Sequence, residues 1–220
     1  KFINNCELII VPNLGRKILF RKVLKTKKRI LVIKNSFSKN FKFKIKKKRN
    51  YISHMGYIGP GHYIDQIIHS AKFIHKEYKV LLAGICNDEY FDYIKNLINK
   101  NNLRKKVIIE RNISNKKWYN YLSETCIGLV FYEPINVSNV NMNMTSQKMN
   151  SFIMANIPMI VNDNIDFKDK NYLYYSKSKP TPISISKKIN YLLKNKLIYK
   201  KIKNNLKKLF LKSQNLEFET

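Results

Sequence analysis

Short apolar runs alternate along this chain with longer segments whose apolar residues recur at three- and four-residue intervals. That alternation confines it to an α/β fold, because a strand running parallel to its predecessor needs a crossover, usually a helix. The apolar runs predict strands at Glu7–Pro12, Arg29–Ile33, Tyr51–Ile58, Val80–Gly84, Val107–Ile109, Ile127–Phe131 and Met159–Val161, with a weak one at Tyr172–Tyr175. The periodic segments predict helices at Lys17–Leu24, Ile64–Tyr78, Glu89–Asn99, Asn115–Ser123 and from Lys148 to near Asn156. Ser186–Lys212 reads as one amphipathic basic helix or a broken pair, its apolar residues keeping to one side. No internal repeat is present.

Composition narrows the class further. Of 220 residues, 44% are hydrophobic and 12% aromatic, which suits a folded globule rather than a disordered basic tail. A formal charge of +29 ordinarily points to nucleic acid or an anionic membrane. Here Lys, Asn, Ile, Tyr and Phe are abundant while Gly and Pro number only 6 each, the bias of an AT-rich coding sequence, which accounts for most of that charge. Phe and Tyr fall mainly within periodic core runs, not interleaved with lysines as on a nucleic-acid surface. Cys6, Cys86 and Cys126 make no CxxC or Cys/His metal spacing, so no metal site is expected and a reduced cytosolic chain is the simplest reading. No apolar run approaches the roughly 20 residues of a membrane span. Residues 38–50, SKNFKFKIKKKRN, are basic and unpatterned and read as a hinge or linker. The chain starts at Lys1 and is read as part of a longer protein.

Residues 145–161, TSQKMNSFIMANIPMIV, follow the apolar run IGLVFYEP and carry the strongest functional signal. A short polar loop delivers Lys148 to the start of a helix, and Pro158 opens the next apolar run. In a parallel sheet this sets a cationic side chain and free helix N–H groups at the carboxyl edge of the strands, where nucleotide phosphates bind.

The segment resembles the donor-binding motif of GT-B glycosyltransferases of the glycosyltransferase 4 or group 1 kind, usually close to SPNKLFEYLAAGKPVI. GYIGPGHYIDQII resembles the family's G-R-L-x-x-x-K-G-x-x-x-L-L, VLLAG its L-x-I-x-G strand, and VIIERNIS followed by WYNYL its V-x-F-x-G-x-V-x-x-x-x-L-x-x-Y. The resemblance implies a Rossmann-like parallel sheet with flanking helices, the C-terminal domain of a GT-B fold, plus a remnant of the N-terminal domain. Residues 1–37 would end the acceptor-side domain and 38–50 form the hinge. Residues 51–180 would bind the nucleotide sugar, and the basic helix of 181–220, with its tail NLEFET, would return toward the first domain.

The same resemblance implies a site. Lys148, Gly59, Gly61, His62, Thr145 and Ser146 would hold the donor diphosphate, with Thr145 or Ser146 also able to cap the helix. Glu133, Gln147 and Ser151 would meet the donor sugar or ribose, and Arg111, Asn112 and Ile113 the nucleobase. The chain departs from the family where Tyr57 and His62 replace an Arg and a Lys, and where Asn143 and Ser151 replace two Glu eight positions apart. Asn156 replaces a glycine at the helix end but tolerates the left-handed conformation needed there. The expected activity is metal-independent transfer of a sugar, of the hexosyltransferase type, from a nucleoside diphosphate to a glycan or lipid-linked acceptor. It needs no cofactor beyond the nucleotide-sugar co-substrate. Surface-polysaccharide synthesis at the cytoplasmic face, peripheral to an anionic membrane, is the expected setting. The catalytic base would lie in the acceptor domain, so no catalytic residue is nominated. Two alternatives remain at this point: a degenerate, non-catalytic module of the same fold, and a basic nucleic-acid-binding protein.

Overall fold

The computed structural model describes residues 5–33, 49–135, 139, 145–163 and 175–214. The basic linker up to residue 48, Asn143, the start of the weak strand at Tyr172 and the tail NLEFET lie outside the described residues.

Residues 5–33 form a small β–α–β unit. Strands β1 (Leu8–Val11) and β2 (Arg29–Val32) pair in parallel and are joined by helix α1 (Leu14–Leu24). The helix begins three residues before the apolar period suggested, because the Asn13 side chain accepts from Arg16 N–H at 2.8 Å and caps it there. α1 buries none of its residues; Leu14, Ile18 and Val23 are exposed.

Residues 49–214 build a six-stranded, wholly parallel sheet. In chain order its elements are β3 (Tyr51–Tyr57), α2 (Ile64–Ser70), β4 (Lys79–Ile85), α3 (Asp88–Lys100), β5 (Val107–Arg111), α4 (Asn115–Glu124) and β6 (Thr125–Val130). There follow α5 (Gln147–Met154), β7 (Met159–Asn162), β8 (Tyr175–Ser178), α6 (Pro182–Lys194) and α7 (Lys196–Gln214). Strand order across the sheet is β5-β4-β3-β6-β7-β8. Every residue of β6 and β7 is buried, which is why these strands read as unbroken apolar runs rather than alternating ones.

Several boundaries differ from the sequence expectation, each for a local reason. The helix expected over Ile64–Tyr78 ends at Ser70 and tightens into a 3-10 turn at Ala71–Phe73. There Ser70 donates to the Ile67 carbonyl and Ile74 swings to extended backbone. The weak strand runs over Tyr175–Ser178. The basic C-terminal segment is the broken pair, not one helix, and it starts earlier, at Pro182. Thr181 caps its first half, and Asn195 divides the two by accepting from Ile198 N–H at 3.1 Å. Ile185, Ile189, Leu192, Ile202 and Leu206 carry both helices onto the core of the sheet. Among the described residues no helix is long and apolar enough to cross a membrane.

Packing beneath α5 is close enough to make a prediction. Gly128 of β6 lies under the Phe152 ring, and a Cβ there would fall 2.4 Å from a ring carbon. Gly128→Ala is expected to destabilise the chain by about 1–3 kcal/mol through overpacking. Adding Phe152→Leu should recover part of the loss, read as a shift in the urea midpoint.

Candidate functional site

The sheet's change of direction sets the site. From β3 the chain steps outward through β4 to β5, then returns to the other side of β3 and continues through β6, β7 and β8. At such a reversal the connections leaving neighbouring strands part and open a crevice at the carboxyl ends. β3 and β6 flank that crevice. Three segments converge on it: the turn after β3, the residues after β6, and the start of α5.

Lys148, the second residue of α5, is drawn inward and only 5% exposed. Its Nζ lies 3.4 Å from His54 Nδ1, 3.3 Å from His54 Nε2, 3.5 Å from His62 Nδ1 and 4.8 Å above the Tyr132 ring. His54 is fully buried within β3, and its Nε2 is 2.9 Å from the Tyr57 carbonyl. A carbonyl only accepts, so Nε2 carries the imidazole hydrogen and Nδ1 is left as an acceptor toward Lys148. His62 packs edge-on against His54 and Tyr57 and tilted against Tyr132.

The far wall is clamped from several elements. Asn162, at the end of β7, accepts from Tyr132 N–H at 3.0 Å and donates to the Tyr132 carbonyl at 2.8 Å. The Tyr132 hydroxyl meets the Ser146 hydroxyl at 2.6 Å, and Ser146 caps α5 by accepting from Met149 N–H. The other end of α5 closes through Asn156 in the left-handed region, with Ile157 N–H reaching back to the Phe152 carbonyl at 2.8 Å.

Burial dictates the electrostatics. It pushes the Lys148 ammonium down from its ordinary 10.5 to about 7. His62 falls to about 3, first by burial and then by the Lys148 charge, against a backbone hydrogen bond at Phe131. His54 is pushed well below its usual range by burial, then Lys148, then His62, opposed by its bond at Tyr57. Burial lifts Tyr132 to about 12. The site thus holds Lys148 among two neutral imidazoles and a phenol. Among the described residues no carboxylate forms an ion pair with it.

The remaining sequence-selected residues fall in three places. The carbonyl of Gly61 (φ +84) accepts from Glu133 N–H at 2.9 Å, which ties the Gly59–Gly61 turn to the segment after β6. Thr145 is buried just ahead of the cap. Gln147 is exposed, and the Ser151 hydroxyl donates to the Gln147 carbonyl within its own helix, at 3.0 Å. Glu133, with Gly59, Pro60, Asp65, Tyr90 and Tyr93, lines a shallow cavity of about 240 Å³ that does not include Lys148. Arg111, Asn112 and Ile113 sit at the carboxyl end of β5, two strands from β3 and so about 10 Å away. Arg111 pairs with Asp88 and stacks 4.3 Å over Phe91, while Asn112, in the left-handed region, donates to the Gly84 carbonyl at 2.7 Å.

Sequence reasoning missed His54 and Tyr132. A histidine inside an otherwise apolar strand, two residues before Gly56, was the available signal for the first. Tyr132 carried none, since the clasp by Asn162 spans 30 residues.

No protein-family model and no curated protein sequence matches the chain. Solved structures do. Anabaena HepE, solved in complex with UDP and glucose, superposes at TM-score 0.70 with 13% identity over 96% of this chain and 59% of its own. A glycosyltransferase from Rickettsia africae gives 0.71 and 14% over 94% and 59%. The C-terminal domain of LpcC, a group 1 family glycosyltransferase of Francisella tularensis, gives 0.61 and 12% over 77% and 88%. The chain spans about three fifths of the length of the first two. It therefore has the fold of GT-B glycosyltransferases, its six-stranded parallel sheet matching their C-terminal domain.

Proposed function

We propose that this chain is the donor-binding part of a glycosyltransferase. It would move a sugar, as a hexosyl group, from a nucleoside diphosphate to a hydroxyl of a glycan or lipid-linked acceptor, in the synthesis of a bacterial surface polysaccharide. One observation carries the reading: Lys148 is delivered by a helix N-terminus into the crevice where the strand order reverses.

In such a transfer the bond between the sugar carbon and the diphosphate oxygen breaks as the acceptor oxygen bonds to that carbon. The departing diphosphate gathers negative charge, and stabilising it lowers the barrier. Lys148, His62, the Gly59–Gly61 turn and the amides at the start of α5 supply that stabilisation in a metal-free arrangement, with Thr145 and Ser146 shaping the helix start. Glu133, Gln147 and Ser151 are the sugar- or ribose-side residues, and Arg111, Asn112 and Ile113 bound the base. HepE's complex with UDP favours UDP as the nucleotide. Residues 1–37 are assigned to the acceptor-side domain, whose remainder would cover the exposed apolar residues of α1. Residues 175–214 hold lysines and no Asp or Glu, which suits a cytoplasmic enzyme resting on an anionic membrane.

A second reading, a degenerate module that binds nucleotide weakly, is favoured by a specific feature: Tyr57 and His62 stand where an Arg and a Lys are usual, and His62 is held uncharged. Titration calorimetry with UDP, GDP and ADP separates the two. The expected result is binding of one nucleotide, weakened at least tenfold, about 1.4 kcal/mol, by Lys148→Met. Failure of all three to bind overturns the donor-site reading in favour of the degenerate module.

A further inference from the structure

The way Lys148 is housed has a consequence for how a diphosphate enters. A lysine that binds phosphate is usually drawn as a standing positive charge. This one is sealed among His54 from β3, His62 from the turn after β3, and Tyr132 from the segment after β6. On its own helix the Ser146 hydroxyl is engaged by Tyr132, and a buried polar group beyond it is the neutral amide of Asn150. From α7, which also packs on α5, the buried side chains are Ile202 and Leu206. None of these groups is an anion. Among the described residues nothing compensates a charge placed there, and uncompensated buried charge is resolved by losing the proton.

The geometry points to a proton-coupled donor site: Lys148 waits as a neutral amine hydrogen-bonded to His54, and an arriving diphosphate draws one proton into the crevice, onto the lysine. His54 is the positioning residue. Its Nε2–H is committed to the Tyr57 carbonyl, which leaves Nδ1 as the ring's acceptor, and Nζ stands 3.4 Å from Nδ1 and 3.3 Å from Nε2. The imidazoles themselves stay neutral, because either one charged would face the new ammonium at about 3.5 Å or less. Atoms balance simply: solvent or buffer acid gives up the proton, and Nζ receives it. Departure of the diphosphate reverses the step. The inference rests on the donor-site reading above.

The direction of the pH effect follows. With Lys148 free at about 7, roughly nine in ten empty sites are neutral at about pH 8, so binding there takes up close to one proton. Above neutrality the Kd weakens toward tenfold per pH unit. Below it the lysine is already charged and proton uptake vanishes.

The test is titration calorimetry of the 220-residue chain with UDP, GDP and ADP at about pH 8. It is run in Tris and in Hepes, whose different heats of ionisation reveal the protons exchanged. Expected is uptake of about one proton by the chain for the nucleotide that binds, retained in His62→Gln. His54→Asp, which sets a fixed carboxylate beside Nζ, should lose it. Binding with no proton uptake overturns this inference and leaves the donor site standing. Uptake that disappears in His62→Gln moves the proton to an imidazole and also overturns it. Absence of binding by every nucleotide overturns the donor site and this inference together.

Discussion

Replacing Lys148 with Met is expected to stabilise this chain at pH 7 while removing diphosphate binding. Lys148 is buried, and burial alone lowers it from 10.5 to about 7. Folding at pH 7 must therefore work against the lysine's preference for being charged in water, a cost on the order of 5 kcal/mol. Methionine has a similar reach, no charge and an adaptable thioether, so most of that cost disappears and the packing under α5 is kept. The sign is fixed by linkage. A lysine depressed in the folded state leaves the unfolded chain holding the extra proton between about pH 7 and 10.5, so its contribution to stability rises with pH across that window. Toward pH 7 the contribution is lost. Urea unfolding at pH 7 and pH 9 checks this: the wild-type chain should gain stability between the two, and Lys148→Met should gain about 2 kcal/mol less. If the substitution lowers stability at pH 7, the lysine is paired in solution and the neutral site is wrong. A residue that costs stability at its site and is nonetheless placed at a crevice is the behaviour expected of a functional group.

Gly84→Ala should produce the largest loss. Gly56 and Gly84 face each other across β3 and β4, with φ +133 and +148. A Cβ on Gly84 would lie 1.8 Å from the Gly56 carbonyl oxygen. That oxygen is main chain and cannot swing aside, so the strand ends must part. Parting them breaks the bond from Ile58 N–H to the Ile85 carbonyl, which spans the two strand ends. It also shifts Gly56, which adjoins the Lys148 Cε. A loss of at least about 4 kcal/mol is expected, lowering Tm by roughly 10 °C in a chain of this size. Gly59→Ala is the contrast. The atoms nearest its added methyl belong to the ring of half-exposed Tyr57, which can turn away, and its backbone is not left-handed. Thermal unfolding of the two variants should separate by several degrees. Equal losses would mean that the β3–β4 contact is looser than its register implies.

Much of this architecture was readable from residues alone because its causes are local. The period of the apolar residues distinguishes strands from helices. Asn, Ser and Thr ahead of the periodic segments cap α3, α4, α5 and α6 through bonds that span three residues. The placement of Lys148 at a helix start after a buried strand needed only residues 127–149. What the tertiary structure decided are properties set by distant partners. The strand order, and with it the crevice between β3 and β6, depends on which edge each returning strand joins. The environment of Lys148 is made by His54, 94 residues away, and by His62, 86 residues away. Sequence therefore specified that a cation would stand at the carboxyl edge of a parallel sheet. Only the folded chain specified that this side chain would be enclosed with no anion among the described residues, because desolvation is a property of the assembled surroundings and is written in no single segment.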